Sequence, residues 1–211
     1  MSQKAVFLSG EGDKWLIRNK KEISNRDYNN DIVSIEILKI IKEYYKNKRI
    51  RILEVGCGNS TRLKKLKKRN VDCFGVDPSD LSVAESKRNK IYCKKGTADK
   101  IPFNSNYFDI VIFGFCLYVC DESDYKKIKK ETLRITKKNS FIIIQDFYSP
   151  KKIKKKFKYN KKISVIKQDF TKIFIDKKIK LISRKIVDYL SQKYTKRKNM
   201  WSSVDTLIKF K

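Results

Sequence analysis

Residues 52–60 read Ile-Leu-Glu-Val-Gly-Cys-Gly-Asn-Ser, an apolar run that ends in a glycine-rich turn. A second apolar run, residues 71–76, is followed by Asp77, and the two runs are separated by the length of one strand–helix–strand unit. Glycines let the backbone of such a turn pass close to a ligand. A carboxylate at the tip of the next strand accepts hydrogen bonds from ribose hydroxyls. The two features together predict a nucleoside-binding site.

Apolar and amphipathic segments alternate through the rest of the chain. Helices are expected over residues 31–45, 61–68, 81–88 and 123–135. Strands are expected over residues 51–55, 71–76, 91–94, 108–115, 140–145, 178–189 and 204–210. This pattern predicts an α/β fold, a Rossmann-like doubly wound sheet of seven strands, mostly parallel with an antiparallel strand near the carboxyl terminus. Ligands bind such sheets at the carboxyl ends of the strands.

The length of 211 residues and the hydrophobic content of 40% fit a single domain with its own core. Within this domain we expect an amino-terminal cap segment at residues 1–30, a cofactor-binding core at 31–147, and a substrate-side excursion with the final strands at 148–211. Residues 148–162 are rich in lysine and predict an exposed excursion. The chain contains no long uncharged apolar run, which predicts no membrane span and a cytoplasmic location.

The composition excludes several kinds of active site. Histidine is absent, so histidine triads, histidine-ligated zinc and an imidazole general base are excluded, and no metal site is predicted. The five cysteines include no Cys-x-x-Cys pair, which indicates free thiols in a reducing compartment. Cys57, Cys116 and Cys120 are interpreted as small packing residues rather than as reactive thiols.

The formal net charge of +29 raises the question of a nucleic-acid partner. Only ten of the 52 basic residues are arginine, and lysine makes poorer bidentate contacts with phosphate than arginine does. We therefore interpret the charge as codon bias toward lysine rather than as a dedicated nucleic-acid surface. In either case the charge favours a polar or anionic small-molecule substrate.

The glycine-rich turn distinguishes between two kinds of nucleoside ligand. Residues 56–61 read Gly-Cys-Gly-Asn-Ser-Thr and lack the third glycine of the Gly-x-Gly-x-x-Gly turn that admits a dinucleotide pyrophosphate. This departure favours a nucleoside cofactor without phosphates.

With these motifs, residues 52–145 resemble the class I S-adenosylmethionine-dependent methyltransferases. Residues 53–58, Leu-Glu-Val-Gly-Cys-Gly, are similar to their first motif, residues 75–79, Gly-Val-Asp-Pro-Ser, to the acidic second, and residues 96–103, Gly-Thr-Ala-Asp-Lys-Ile-Pro-Phe, to the third. The resemblance implies S-adenosylmethionine as the cofactor. The cofactor-binding residues that it implies are Gly56 and Gly58 beneath the cofactor, Asp77 at the ribose hydroxyls, Asp99 at the adenine amino group and Glu54 near the methionine amine.

The amino terminus carries a narrower resemblance. Residues 7–19, with Gly-Glu-Gly-Asp-Lys-Trp followed by Arg-Asn, are similar to the opening of a bacterial subgroup that includes methylases of pseudaminic acid and other surface-sugar pathways. Residues 114–121 are also similar to that subgroup. The resemblance implies that Trp15 shields the cofactor and that Arg18 pairs with its carboxylate. The alternative is that Trp15 packs a flexible terminus on the core.

Methyl transfer to a hydroxyl needs a general base, and without histidine the base would be a carboxylate, a tyrosine or a lysine. Asp121, Asp146 and Tyr118 follow the fourth and fifth strands at the expected edge of the sheet. We hypothesise Asp146 as the base, with capping or loop roles as the alternative. The segment after the fourth strand lacks an Asn/Asp-Pro-Pro-aromatic motif, so adenine or glutamine N-methylation has no support.

The sequence as a whole predicts methyl transfer to a small polar acceptor, with a hydroxyl of a sugar or sugar nucleotide as an example. An RNA methyltransferase is the main alternative, since the charge and lysine-rich residues 151–162 favour it while the scarcity of arginine opposes it. A methyltransferase-like binding protein without activity is the third hypothesis, and the presence of Gly56, Gly58, Asp77 and Asp99 opposes it.

Overall fold

The structure, a computed structural model, describes residues 1–25, 30–46 and 48–210. Residues 26–29 of the predicted cap segment and residue 47 lie outside this description. The helices are α1 (Gln3–Val6), α2 (Gly12–Asn25), α3 (Ile32–Ile40), α4 (Thr61–Leu66), α5 (Asp80–Arg88) and α6 (Tyr125–Ile135). The strands are β1 (Ile50–Val55), β2 (Val71–Asp77), β3 (Tyr92–Lys95), β4 (Phe108–Gly114), β5 (Thr136–Phe147), β6 (Ile153–Lys156), β7 (Ser164–Lys167), β8 (Ile179–Asp188) and β9 (Trp201–Lys209).

Seven strands form one sheet in the order β3-β2-β1-β4-β5-β9-β8. The strands from β3 to β5 pair in parallel, and β9 runs antiparallel to both of its neighbours, β5 and β8. The predicted Rossmann-like sheet, mostly parallel with an antiparallel strand near the carboxyl terminus, is therefore confirmed. Strand order reverses between β1 and β4, which is where such sheets bind their ligands.

The central strand β4 explains why the sheet is covered on both faces. Its residues alternate between two cores, with Val111 and Phe113 in one and Ile110 and Ile112 in the other, and all four are fully buried. Burial of each such side chain contributes roughly 1.5–3 kcal/mol. A strand that is apolar on both faces is stable only between two layers of helices, so β4 fixes the centre of the domain.

Side-chain caps begin the helices on either side of the sheet. The Asp31 carboxylate accepts a hydrogen bond from the Ser34 amide at 3.0 Å, as expected for the start of α3. The Ser79 hydroxyl accepts one from the Ser82 amide at 2.9 Å and begins α5 directly after β2. The second cap places the amino-terminal end of α5 beside the tip of β2.

The lysine-rich excursion is more ordered than the sequence indicates. The whole of β6 is exposed, as predicted for residues 148–162, yet it pairs antiparallel with β7 to form a separate hairpin. The sequence does not predict β6, because strands are predicted from β-branched and aromatic residues and three of its four residues are lysines. No helix in the described ranges is both long and apolar enough to cross a membrane.

Candidate active site

A cleft with two adjoining cavities lies at the carboxyl ends of β1, β2 and β4. The first cavity, which the tip of β2 lines, has a volume of about 890 Å³. The second cavity, between the glycine-rich turn, α2 and the turn that joins β6 to β7, has a volume of about 1090 Å³. Both volumes include space that opens to solvent. The residues that line both cavities are Trp15, Gly56, Gly58, Gly114, Phe115 and Tyr118.

The glycine-rich turn lies at the base of the cleft. Gly56 and Gly58 have φ angles of +73° and +52°, in the left-handed region that favours glycine. A Cβ atom at Gly56 would lie 2.7 Å from Cβ of Cys116, whereas no atom surrounds the Cβ position of Gly58 within 4 Å. The turn thus packs tightly on one side and leaves open space above Gly58, as a cofactor cradle requires.

Asp77 closes β2 and lies against the glycine-rich turn. One of its carboxylate oxygens accepts from the Gly58 amide at 2.9 Å and the other from the Ser79 amide at 2.9 Å. Burial raises the pKa of the Asp77 carboxyl, and the hydrogen bonds from Ser79 and Gly58 counteract that rise only in part. The carboxylate lines the first cavity, where it is fixed before any ligand binds.

Asp99 lines the same cavity and forms an ion pair with Lys4 of the cap segment. The Lys4 ammonium lies 2.5 Å from an oxygen of Asp99 and 3.1 Å from one of Asp124. Burial tends to raise the pKa of the Asp99 carboxyl, but hydrogen bonds from Lys4 and Thr97 outweigh it and lower the pKa. Lys4 is a cleft residue that sequence reasoning missed, because an isolated lysine among so many carries no signal.

Glu54 belongs to a buried polar network at the floor of the second cavity. The Arg62 guanidinium donates to the Glu54 carboxylate and, at 2.9 Å each, to the Asp31 carboxylate and to the Gln145 side-chain oxygen. Arg62 is only 5% exposed although it carries a full charge. The network fixes the orientation of Glu54 toward the cavity, and the sequence contains no pattern that identifies Arg62 as its partner.

Of the two cofactor-binding residues predicted in the cap segment, Trp15 lies in the cleft and Arg18 does not. Trp15 lines both cavities, and its indole N–H donates to the Tyr118 hydroxyl at 3.3 Å. Arg18 lines neither cavity, because it pairs with Glu11 at 2.5 Å and lies over the Tyr159 ring at 4.9 Å. Arg18 thus joins α2 to the turn after β6, and its contact with the cofactor carboxylate stays a prediction.

The three candidate bases also differ. Asp146 is fully buried and lines neither cavity, since its carboxylate accepts from the amides of Leu117, Tyr118 and Phe147 at 2.9, 3.2 and 2.8 Å. Burial raises the pKa of Asp146 to about 7 even though these amides oppose the shift. Asp146 thus lies near the end of β5, where its carboxylate holds the turn after β4, and its role as the base stays a prediction.

Asp121 and Tyr118 both line the cleft. The Asp121 carboxylate lines the first cavity and accepts from the Gln3 amide at 2.8 Å. Tyr118 lines both cavities, and burial raises the pKa of its hydroxyl. A phenol with a raised pKa is a poor proton acceptor at neutral pH, so Tyr118 serves better as a wall and hydrogen-bonding group than as a base.

Phe115 is one of the residues at the junction of the two cavities, and the sequence did not indicate it as a site residue. Its φ angle is +52°, which is unfavourable for a bulky side chain, and its ring lies 5.1 Å from the ring of Phe147. Strained residues of this kind occur mainly where a site requires them. A positive φ angle is expected from sequence only at glycine, asparagine or aspartate, so the sequence could not predict this conformation for Phe115.

The arrangement fits S-adenosylmethionine. A buried carboxylate at the tip of β2 lines a nucleoside-sized cavity, open space lies above Gly58, and three further aspartates line the same cavity. Asp77, Asp99 and the glycine-rich turn would hold the nucleoside, and Glu54, which lines the second cavity, would hold the methionine amine.

Comparisons with known proteins agree with this geometry. A family model described as a methyltransferase domain matches residues 53–144. An S-adenosylmethionine-dependent methyltransferase from Methanosarcina mazei is 15% identical, with a TM-score of 0.63, over 81% of this chain and 97% of the other. A chain from the complex of the Trm112 activator with a putative methyltransferase of Haloferax volcanii is 14% identical, with a TM-score of 0.68, over 94% and 96%.

A third structure contains ligands. The 1,6-didemethyltoxoflavin-N1-methyltransferase of Burkholderia thailandensis, with 1,6-didemethyltoxoflavin and S-adenosylhomocysteine bound, is 11% identical, with a TM-score of 0.63, over 95% of this chain and 90% of the other. No curated protein sequence matches the chain. The family model thus marks a methyltransferase domain at residues 53–144, and the solved structures share the fold of the chain.

Proposed function

We propose that the protein methylates a small molecule that binds in the second cavity. The observation that carries this proposal is the continuity of the two cavities. Trp15, Phe115 and Tyr118 line both of them, so a cofactor that reaches from the first cavity to Glu54 would lie directly beside a molecule in the rest of the second. Proximity of this kind is the main requirement for methyl transfer.

The second cavity has a roof made of α2 and residues 157–163, the turn between β6 and β7. Asn160 in this turn donates to Glu11 at 2.8 Å, and the Ser164 amide donates to the Gln3 side chain. Arg18 lies over the Phe157 and Tyr159 rings at 5.7 and 4.9 Å. A roof of this construction limits access by a bulky folded substrate and excludes water from the reacting atoms.

The chemistry needs little from the protein besides position. Bound S-adenosylmethionine supplies an activated methyl group, whose carbon–sulfur bond breaks with its electron pair left on sulfur as the acceptor lone pair forms the new bond to carbon. Asp77 and Asp99 would orient the nucleoside, and Glu54, fixed by Arg62, would orient the amine. The walls formed by Trp15 and Phe115 would hold the acceptor in line with the methyl group.

A surface-sugar hydroxyl, expected from the amino-terminal segment, is one acceptor within this proposal, but no comparison supports that subgroup. RNA is the second candidate, and the exposed lysines of β6 favour it. The roof over the second cavity favours the small molecule, because a flipped base would have to enter beneath α2 and the β6–β7 turn with its strand attached.

Labelling with methyl-tritiated S-adenosylmethionine tests the proposal. The purified protein is incubated with two fractions of one cell extract, the small molecules below 3 kDa and the total RNA. We expect label in the small-molecule fraction and a loss of labelling in an Asp77→Asn variant. Transfer of label to RNA, with none to small molecules, would refute the proposal in favour of the RNA enzyme.

A further inference from the structure

The cleft is acidic inside a strongly basic protein. Among the described residues, four aspartates and one lysine line the first cavity, and two glutamates and one arginine line the second. Both cations are already paired with carboxylates, Lys4 with Asp99 and Arg62 with Glu54. The net charge of +29 therefore lies elsewhere, and the sign of the cleft opposes the anionic substrate expected from composition.

The second cavity has aromatic walls. At its inner end, the Phe147 ring packs against Phe115 at 5.1 Å, Tyr118 at 5.0 Å and Tyr189 at 5.2 Å. The roof contributes further rings from the β6–β7 turn. Aromatic faces bind flat apolar molecules by stacking and attract positive charge through their quadrupoles. These walls suit a planar ring system better than a sugar, whose hydroxyls need many polar partners.

None of the three candidate bases presents a proton acceptor to the second cavity. Asp146 lines neither cavity, Asp121 lines the first cavity alone, and Tyr118 holds its proton more tightly than an ordinary tyrosine. A hydroxyl acceptor has to lose a proton during transfer. A ring nitrogen with an available lone pair attacks without losing one.

We propose that the acceptor is an uncharged, planar heteroaromatic molecule methylated on a pyridine-type ring nitrogen. This inference rests on the proposed function and narrows it. The nitrogen lone pair forms the bond to the methyl carbon while the electron pair of the breaking carbon–sulfur bond stays on sulfur. Positive charge thereby moves from sulfur to nitrogen, and no proton is transferred. The carboxylates and aromatic faces of the cleft stabilise that charge at both ends of its path.

Binding is tested first, with the protein saturated with S-adenosylhomocysteine. Isoquinoline serves as the neutral ring-nitrogen probe, isoquinoline-6-carboxylate as its anionic counterpart, and uridine diphosphate glucose as the sugar-nucleotide probe. Calorimetry and saturation-transfer NMR should show isoquinoline binding about tenfold or more tightly than either anion, a difference of about 1.4 kcal/mol. Equal or tighter binding of an anion, or no binding of isoquinoline at millimolar concentration, would overturn the inference.

Two charge reversals test the electrostatic part. Glu22→Lys places a cation at the second cavity, and Glu43→Lys makes the same change at an exposed residue that lines neither cavity. We expect Glu22→Lys to reduce the preference for isoquinoline over its carboxylate several-fold and Glu43→Lys to leave it unchanged. Equal effects of both variants would show that the overall charge, and not the cavity, sets the preference.

Methyl transfer provides a second readout. With labelled S-adenosylmethionine, mass spectrometry should detect N-methylisoquinolinium and no methyl ether of 2-naphthol, a flat molecule of the same size with an oxygen nucleophile. Preferential methylation of 2-naphthol or of uridine diphosphate glucose would overturn the inference while the small-molecule proposal stands. Label confined to RNA would overturn both, so the two failures are distinguishable.

Discussion

Arg62 and Glu54 form a buried ion pair at the floor of the cleft, and the pair occupies the place that a side chain at Gly114 would need. A Cβ atom at Gly114 would lie 2.6 Å from the Arg62 guanidinium and 2.8 Å from the Glu54 carboxylate. The pair therefore connects β1, α4 and the end of β4 at one point. Charged groups buried in this way are stable only as a set, because each loses its hydration.

Replacement of Arg62 by methionine should destabilise the fold by about 3–5 kcal/mol, because Asp31 and Glu54 would remain buried without the guanidinium. Urea unfolding measures the change. The control is Arg49→Met, which removes an ion pair with Asp72 in which the arginine side chain is 72% exposed. That control should cost less than about 1 kcal/mol. Similar costs for the two variants would contradict a buried role for Arg62.

Replacement of Asp77 by asparagine should weaken S-adenosylmethionine binding about 10- to 100-fold, because one charge-assisted acceptor is lost at the ribose position. Calorimetry measures the affinity, and Asp80→Asn, on a side chain that is 71% exposed, is the matched control. Burial raises the pKa of Asp77, so wild-type affinity should also decline as the pH falls toward that pKa. The Asp77→Asn variant should lose this pH dependence, and retention of it would assign the titration to another group.

Local features of the chain account for what the sequence predicted correctly. The glycine-rich turn and Asp77 are adjacent at the sheet edge because both follow parallel, neighbouring strands, and sequence spacing alone dictates that arrangement. The first residue of α3 and the apolar run of β4 follow from equally local patterns. These features fix the fold and the nucleoside side of the cleft.

The acceptor side depends on contacts between distant segments, so it was not predictable. Arg18 was expected at the cofactor, but in the structure it contacts Glu11 and the β6–β7 turn. A lysine-rich turn contains no sequence pattern that predicts this contact. Asp146 follows the predicted strand 140–145, as a base would, yet it lies within β5 and its carboxylate turns toward three backbone amides. The positive φ angle of Phe115 is set by the tertiary fold.

The stability of the protein should depend on the ionisation of Asp146. Burial raises its folded-state pKa to about 7, whereas an unfolded aspartate titrates near about 3.9. The contribution of protonated Asp146 to the free energy of unfolding is therefore fully present below about pH 4. It is lost as the pH rises through about 7, with a slope of up to about 1.4 kcal/mol per pH unit. Urea unfolding between pH 4.5 and 8 should show a smaller loss of stability with rising pH in Asp146→Asn than in the wild type. Parallel curves would show that Asp146 is ionised throughout this range.

Glu11 anchors the roof of the second cavity, because one of its carboxylate oxygens pairs with Arg18 and the other accepts from Asn160. Glu11→Ala removes both contacts, each of which contributes about 1.5–3 kcal/mol as a hydrogen bond to a charged group. The β6–β7 turn should then open more often, and trypsin should cleave among residues 151–162 at least tenfold faster, because a loss of about 1.4 kcal/mol already raises the open population by that factor. The control, Glu43→Ala, changes an exposed glutamate that lines neither cavity and should leave the cleavage rate unchanged. An unchanged cleavage rate in Glu11→Ala would mean that the contacts of Gln3 with Ser164 and Val119 hold the roof without Glu11.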